Sequence, residues 1–131
     1  MSMTEYAANA TLNAIFGKTS AFGALASAPT IFVGLRTNAS TEATYTGYAR
    51  VETSASDWAV AASRELANAA LIEFGEAEDG PQVLTHYFLA DAASGGNVLF
   101  EDELNAPLEV NALVTPRFPI GDLSTSLTAP A

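Results

Sequence analysis

The chain has 131 residues, of which 49% are hydrophobic and only 15% are charged, and its formal net charge is −10. This length predicts one domain, residues 1–131, with its own core. The acidic balance argues against nucleic acid as a partner, because that binding depends on cationic contacts to phosphate. It argues equally against anionic membrane surfaces. The absence of cysteine excludes disulfides and thiolate metal sites.

Targeting signals are not evident in the sequence. No apolar run approaches the roughly 20 residues of a membrane span. The first residues lack a basic segment followed by an apolar stretch, so we expect no signal peptide and no membrane partner. The charge content lies below that of average domains. Such a surface is typical of a subunit that contacts other subunits, although a globular domain with a neutral polar surface has the same composition.

A short helix is predicted at the start of the chain, over residues 4–17. Thr4 can cap it, Glu5 begins it, and Gly17 followed by Lys18 ends it. Apolar residues recur inside it at helical spacing: Ala8, Leu12, Ile15 and Phe16. A helix this short is unstable alone, so it must pack on its own sheet or on a partner.

The next segments predict strands separated by polar loops. Apolar and other residues alternate over 31–36, which indicates a first strand after Pro29. Residues 37–47 form a predicted loop and residues 48–53 a second strand. Residues 54–68 mix strand-like and helix-like composition, and we predict irregular structure there.

The second half of the chain has a clearer alternation. Residues 70–74 and 83–90 are predicted strands, and Gly95-Gly96 marks a hairpin connection within residues 91–97. Further strands follow at 98–101, 108–110, 115–118 and 122–128. About eight short strands at this spacing predict a mainly β fold: an antiparallel β-sandwich or a barrel, with the sandwich preferred, plus a short N-terminal α-helix.

The sequence offers little for catalysis. His86 is the only histidine, no Gly-x-Ser-x-Gly segment is present, and His86 lies in a predicted strand. The acidic runs near Glu76 and Glu103 adjoin predicted turns and lack the fixed separation that glycosidases require. Calcium bound by residues 91–97 and 101–103 is a weaker alternative. We therefore predict no enzyme, no catalytic residue, no cofactor and no metal.

Aromatic residues near strand ends have two interpretations. Trp58, Tyr45 and Tyr48 could form a platform for sugar stacking, but such rings more often anchor cores or interfaces. We prefer the second interpretation. The predicted contact residues are Tyr6, Leu12, Phe16, Tyr45 and Trp58.

Several segments, in order along nearly the whole chain, resemble a family of small tailed-bacteriophage virion proteins that are often labelled phage tail fibre proteins. The matching segments are Asn-Ala-x-Leu-x-x-Ile-Phe-Gly at 9–17, Pro-Thr-Ile-Phe-Val-Gly-Leu-Arg-Thr at 29–37, Gly-Tyr-Ala-Arg-Val at 47–51, Thr-His at 85–86, Asp-Ala-Ala-Ser-Gly-Gly-Asn-Val-Leu-Phe at 91–100, Val-Asn-Ala at 110–112 and Gly-Asp-Leu at 121–123. The chain departs from the pattern in its short loop after Thr37 and at Asp79-Gly80-Pro81, where a Trp-Gly pair is expected.

The resemblance implies a structural component of the virion, made in the cytoplasm of the bacterial host, with no catalytic residues to carry over. We expect a capsid decoration protein on the outer shell, where it binds the major capsid protein and copies of itself as a trimer. The alternative is a tail or tail-fibre component with a receptor- or sugar-binding role.

Overall fold

The computed structural model describes residues 1–15, 21–22 and 29–126. Within these residues the fold has one α-helix, a single 3₁₀ turn and nine strands. In chain order they are β1 (Ser2–Met3), α1 (Glu5–Ile15), β2 (Phe32–Arg36), β3 (Val51–Glu52), the 3₁₀ turn (Ala55–Asp57), β4 (Glu65–Ala67), β5 (Ile72–Glu73), β6 (Gln82–Ala90), β7 (Val98–Val110), β8 (Arg117–Phe118) and β9 (Ser124–Ser126).

The strands form one large antiparallel sheet and two small ones. The large sheet has the order β1-β7-β6-β2-β3, and the long β6–β7 hairpin lies at its centre. β4 pairs with β9, and β5 pairs with β8, each as an antiparallel two-stranded sheet. Alternating apolar residues favour a strand along β6, whereas the exposed, charged middle of β7 is held as a strand by its pairing with β6.

The core lies between one face of the large sheet and the small sheets. Val33 and Leu89, which are register partners on β2 and β6, are both buried on this face. They belong to the same buried cluster as Ile72 of β5 and Leu123. The ring of Tyr87 on β6 lies 5.5 Å from the ring of Phe118 on β8. This two-layer arrangement confirms the mainly β, sandwich-like fold with a short N-terminal helix.

The opposite face of the large sheet is organised around Phe88, whose ring lies across Gly34 on the neighbouring strand. The guanidinium carbon of Arg36 lies 4.5 Å from the centre of this ring, and that of Arg50 lies 4.8 Å from it. Arg50 also forms an ion pair with Glu42 at 2.9 Å. Two of the five basic residues of the chain therefore stabilise the fold through cation–π contacts.

The N-terminal helix packs on its own sheet, as preferred from the sequence. The Ala7 backbone N–H donates to Thr4 Oγ1 at 3.3 Å, and Thr4 Oγ1 donates to the Val98 carbonyl at 2.7 Å. Ala7 and Ala10 are buried. Phe16 and Gly17, which the sequence also assigned to this helix, lie outside the described residues. No helix among the described residues is long and apolar enough to cross a membrane.

The predicted secondary structure was wrong in detail in three parts of the chain. Residues 98–101 and 108–110 belong to one continuous strand, because residues 104–107 bulge opposite Thr85 and pairing resumes on both sides. Residues 54–68 are not irregular but contain a 3₁₀ turn and β4. The predicted strand at 48–53 is only Val51–Glu52, because β3 pairs with β2 at two positions.

The remaining strand bounds also shift. β1 was not predicted, and it forms because Ser2 and Met3 pair with β7. The strands predicted at 70–74 and 115–118 are shorter in the structure, where only the paired residues of β5 and β8 are strand. The last predicted strand begins at Ser124, and residues 127–131 lie outside the described part.

Candidate assembly surface

A protruding hairpin lies between residues 58 and 68. Ala62 and Glu65 exchange two backbone hydrogen bonds of 3.0 Å around a two-residue turn. Both turn residues have positive φ, 54° at Ser63 and 62° at Arg64. This conformation matches the right-handed twist of a hairpin, although glycine usually occupies it. All residues from 59 to 65 are exposed, and Val60 is 92% exposed.

An apolar groove of about 600 Å³ lies beside this hairpin, lined by residues of the large sheet and of the β4–β9 sheet. Fourteen residues line it, and none of them has a charged side chain. Its larger apolar lining residues are Ile31, Trp58, Leu66, Leu89 and Phe100. On a chain with 15 acidic residues, a neutral concave surface of this size is a candidate contact surface, because charged residues are depleted where proteins bury their interfaces.

Trp58 is held at the groove by the one polar atom of its side chain. Its Nε1 donates to Thr53 Oγ1 at 3.0 Å, and the Thr53 hydroxyl donates to the Ile31 carbonyl at 2.7 Å. Asp57 closes the turn before it by accepting from the Ser54 backbone N–H at 2.8 Å. The indole is half-buried and lines the groove, so it can serve as an interface anchor.

Asn68 fastens the hairpin to the rest of the sandwich. Its side-chain amide donates to the carbonyls of Ala70 and Pro119 at 2.8 and 3.0 Å, and its Oδ1 accepts from the Leu123 backbone N–H at 2.9 Å. The side chain is almost fully buried. Sequence reasoning missed Asn68 and Val60, because residues 54–68 contain no glycine that would signal a hairpin turn.

Of the other predicted contact residues, Tyr6 and Tyr45 do not line the groove. Tyr6 is half-buried on α1, with its ring 6.1 Å from that of Phe22. Leu12 belongs to α1 but its side chain is outside the described part, as is the whole of Phe16. Tyr45 is only 5% exposed and therefore offers little area to a partner. The assignment of these four residues to an interface stays a prediction.

The three rings considered for sugar stacking do not form one exposed platform. Tyr45 and Tyr48 pack against each other at 5.5 Å, and Tyr48 stacks on Phe74 within the core cluster. Burial and the hydrogen bond to Glu42 raise the pKa of Tyr48. Because Tyr45 and Tyr48 serve the core, only Trp58 borders a concave surface.

A second cavity of about 370 Å³ lies beside the β7 bulge and is more polar. Asp102, Glu103 and Asp122 line it. The Glu103 backbone N–H holds the pKa of Asp102 below its usual value, assisted by the Met1 amino group at 3.3 Å. Burial raises the pKa of Tyr87, which also lines this cavity, to about 12. Among the described residues, no group of three or more His, Asp or Glu could hold a metal ion.

The residues considered for chemistry have structural partners. His86 is half-buried on β6, opposite Glu103, and its Nδ1 lies 2.8 Å from Thr85 Oγ1. Asp91, considered for calcium, accepts from the Asn97 backbone N–H at 2.7 Å and from its side-chain amide at 3.1 Å. The Asn97 backbone N–H is the main cause of the lowered pKa of Asp91. These contacts close the turn between β6 and β7.

The chain is thus a small, β-rich protein with a neutral, apolar groove at its surface. A family model for the podophage GP4 fiber I protein gp80 matches residues 2–126. The chain belongs to this family of small tailed-phage fibre proteins, which confirms the resemblance seen in the sequence. The family suggests a virion-associated structural role without catalysis. No curated protein matches the sequence.

Proposed function

We propose that this protein is a non-enzymatic structural subunit of the phage fibre and that it works through protein–protein contacts at the groove beside Trp58. The observation that carries this proposal is the neutral, apolar lining of the groove on a chain with a net charge of −10. Desolvating such a surface costs little, since no charge has to leave water. The groove therefore suits burial against another protein better than recognition of a charged ligand.

Capsid decoration is a second candidate location. In that role the protein would bind the major capsid protein on the outer shell, as trimers, and cement neighbouring subunits. The compact sandwich and the absence of repetitive segments from the sequence favour it, because fibre shafts are commonly long and repetitive. Repetition of weak contacts by the symmetry of the shell would supply stability through avidity.

Immunogold labelling of intact particles with antibody against this protein tests both locations. We expect gold at the fibres or the tail, and particles from a phage that lacks the gene serve as the control. Gold spread evenly over the head would instead support decoration. Particles that carry no label above the control would contradict a role in the virion.

A further inference from the structure

Thr53 lies where the large sheet meets the segment that carries Trp58. It directly follows β3, and its backbone N–H donates to the Ile31 carbonyl at 2.9 Å. Its hydroxyl donates to the same carbonyl at 2.7 Å, and only 6% of the residue is exposed. The hydroxyl proton is therefore committed to Ile31, and the hydroxyl oxygen is left as an acceptor.

The indole of Trp58 uses this acceptor. Its Nε1 can only donate, and it donates to Thr53 Oγ1 at 3.0 Å. Among the described residues, this oxygen is the one hydrogen-bond partner of that nitrogen. The chain between the two residues turns at the 3₁₀ element, Ala55–Asp57. One hydroxyl group thus joins the indole to the Ile31 carbonyl at the edge of the large sheet.

This hydrogen bond determines what the indole contributes to the groove. With Nε1 bonded to Thr53, the side chain of Trp58 has no polar atom left for another partner, so it adds only its apolar ring to the lining. Loss of the hydroxyl leaves the indole N–H unpaired or turns it towards water. Either change releases the ring from its orientation, because an unpaired donor in a half-buried site is unfavourable.

We propose that Thr53 is a positioning residue for the contact surface: its hydroxyl holds the Trp58 indole in one orientation, so that this wall of the groove is formed before a partner binds. The proposal rests on the function proposed above and deepens it, because it assigns the residue that prepares the surface. A side chain that is ordered in advance binds more tightly than one that is immobilised on association. Tryptophan is among the residue types that dominate the binding energy of interfaces.

A threonine that only stabilised the fold would behave differently when replaced. Its loss would lower the free energy of unfolding and leave the orientation of the indole unchanged. The experiment therefore follows the indole itself. Trp58 is the only tryptophan of the chain, so the single indole N–H signal in an NMR spectrum reports on this side chain alone.

Three variants of the full chain separate the two roles. Thr53→Val has a similar shape without the hydroxyl, and Thr53→Ser keeps the hydroxyl. Thr85→Val is the matched control, because the Thr85 hydroxyl also donates to a backbone carbonyl, that of Thr37 at 2.9 Å, but Thr85 does not line the groove. Circular dichroism confirms that each variant is folded.

Hydrogen exchange of the indole N–H should become about two- to tenfold faster in Thr53→Val, because the loss of one hydrogen bond shifts a local equilibrium by about that factor. Thr53→Ser and Thr85→Val should exchange at the wild-type rate. Equal rates in Thr53→Val and in wild type would overturn the proposal. An indole N–H that exchanges as fast in the folded wild-type chain as in the unfolded chain would overturn it without any variant.

Phage that encode the same variants and Trp58→Ala are labelled with immunogold in parallel. Thr53→Val should lower the label per particle about two- to tenfold, and Thr53→Ser and Thr85→Val should match wild type. Faster indole exchange in Thr53→Val with a full label on its particles would refute positioning for contact.

The positioning role and the proposed function fail separately. Unchanged indole exchange in Thr53→Val, with the label lost from Trp58→Ala particles, would refute the role of Thr53 and leave the function of the groove standing. A full label on Trp58→Ala particles would refute that function, whereas the exchange rates would still decide whether Thr53 orients the indole.

Discussion

Replacing Asn68 by alanine should destabilise the sandwich strongly, although no apolar contact is lost. The substitution removes three hydrogen bonds and leaves the Leu123 N–H without its partner beside a fully buried side chain. An unsatisfied buried group costs about 1–3 kcal/mol, and the loss of the two hydrogen bonds to the carbonyls of Ala70 and Pro119 adds about 0.5–1 kcal/mol each. We expect a total loss of about 3 kcal/mol, out of the roughly 5–15 kcal/mol that stabilise a typical domain.

Urea denaturation followed by tryptophan fluorescence measures this loss, since Trp58 is the only tryptophan and lies on the same hairpin. Asn105→Ala is the matched control, because Asn105 is exposed and its side chain has no hydrogen bond to any residue that the structure describes. The control should change the free energy of unfolding by less than about 0.5 kcal/mol. A loss of less than about 1 kcal/mol for Asn68→Ala would refute the view that this side chain fastens the hairpin.

Three further predictions concern the Arg50 face of the sheet. Gly34→Ala places a methyl group against the ring of Phe88 and should lower the free energy of unfolding by about 1–3 kcal/mol in denaturation experiments. The loss should be smaller when Phe88 is also replaced by leucine, and an equal loss in both backgrounds would exclude the ring as the cause. Arg50→Met removes the two hydrogen bonds to Glu42 and should lower the free energy of unfolding by about 2–3 kcal/mol. Arg50→Lys should restore only part of this stability, because lysine lacks the planar guanidinium group that donates both bonds. Full restoration by lysine would contradict a role for the guanidinium geometry. Burial raises the pKa of Glu42, but the hydrogen bonds from Arg50 and Tyr48 outweigh this effect and bring that pKa below 4.5. The ionised Glu42 side chain therefore stabilises the fold fully above its unfolded-state pKa, and this stabilisation is lost as the pH falls through its folded-state pKa. In urea titrations below about pH 5, the free energy of unfolding should fall less steeply with decreasing pH for Glu42→Gln than for wild type, and equal slopes would refute the assignment.

The regular elements were predictable where their signal is local. The alternation in β2 and β6 places every second residue on one face, so Val33 and Leu89 could be assigned to a core before any pairing was known. The helix was equally evident from Thr4 as its cap and from its apolar spacing. The family resemblance was also a local property, since each matching segment is a short run of residues.

The short strands were not predictable, because each exists only through its partner. β4 consists of three residues, which are held in place by pairing with β9, by hydrogen bonds to Ala59 and Ala62, and by the bonds of Asn68. The turn at Ser63 and Arg64 has no glycine, so nothing in the sequence distinguishes it from a loop.

The sequence by itself determined the composition of the chain, which is acidic, has one histidine and lacks cysteine. It also determined the alternating strands, the capped helix and the resemblance to phage fibre proteins. Only the tertiary structure decided which surfaces are available for contact. It buried Tyr45 in the core, set Trp58 on the wall of a neutral groove, and left the hairpin residues 59–65 exposed. The physical reason is that burial and edge exposure depend on which strands pair and which layers face each other, and residues far apart in the chain determine both.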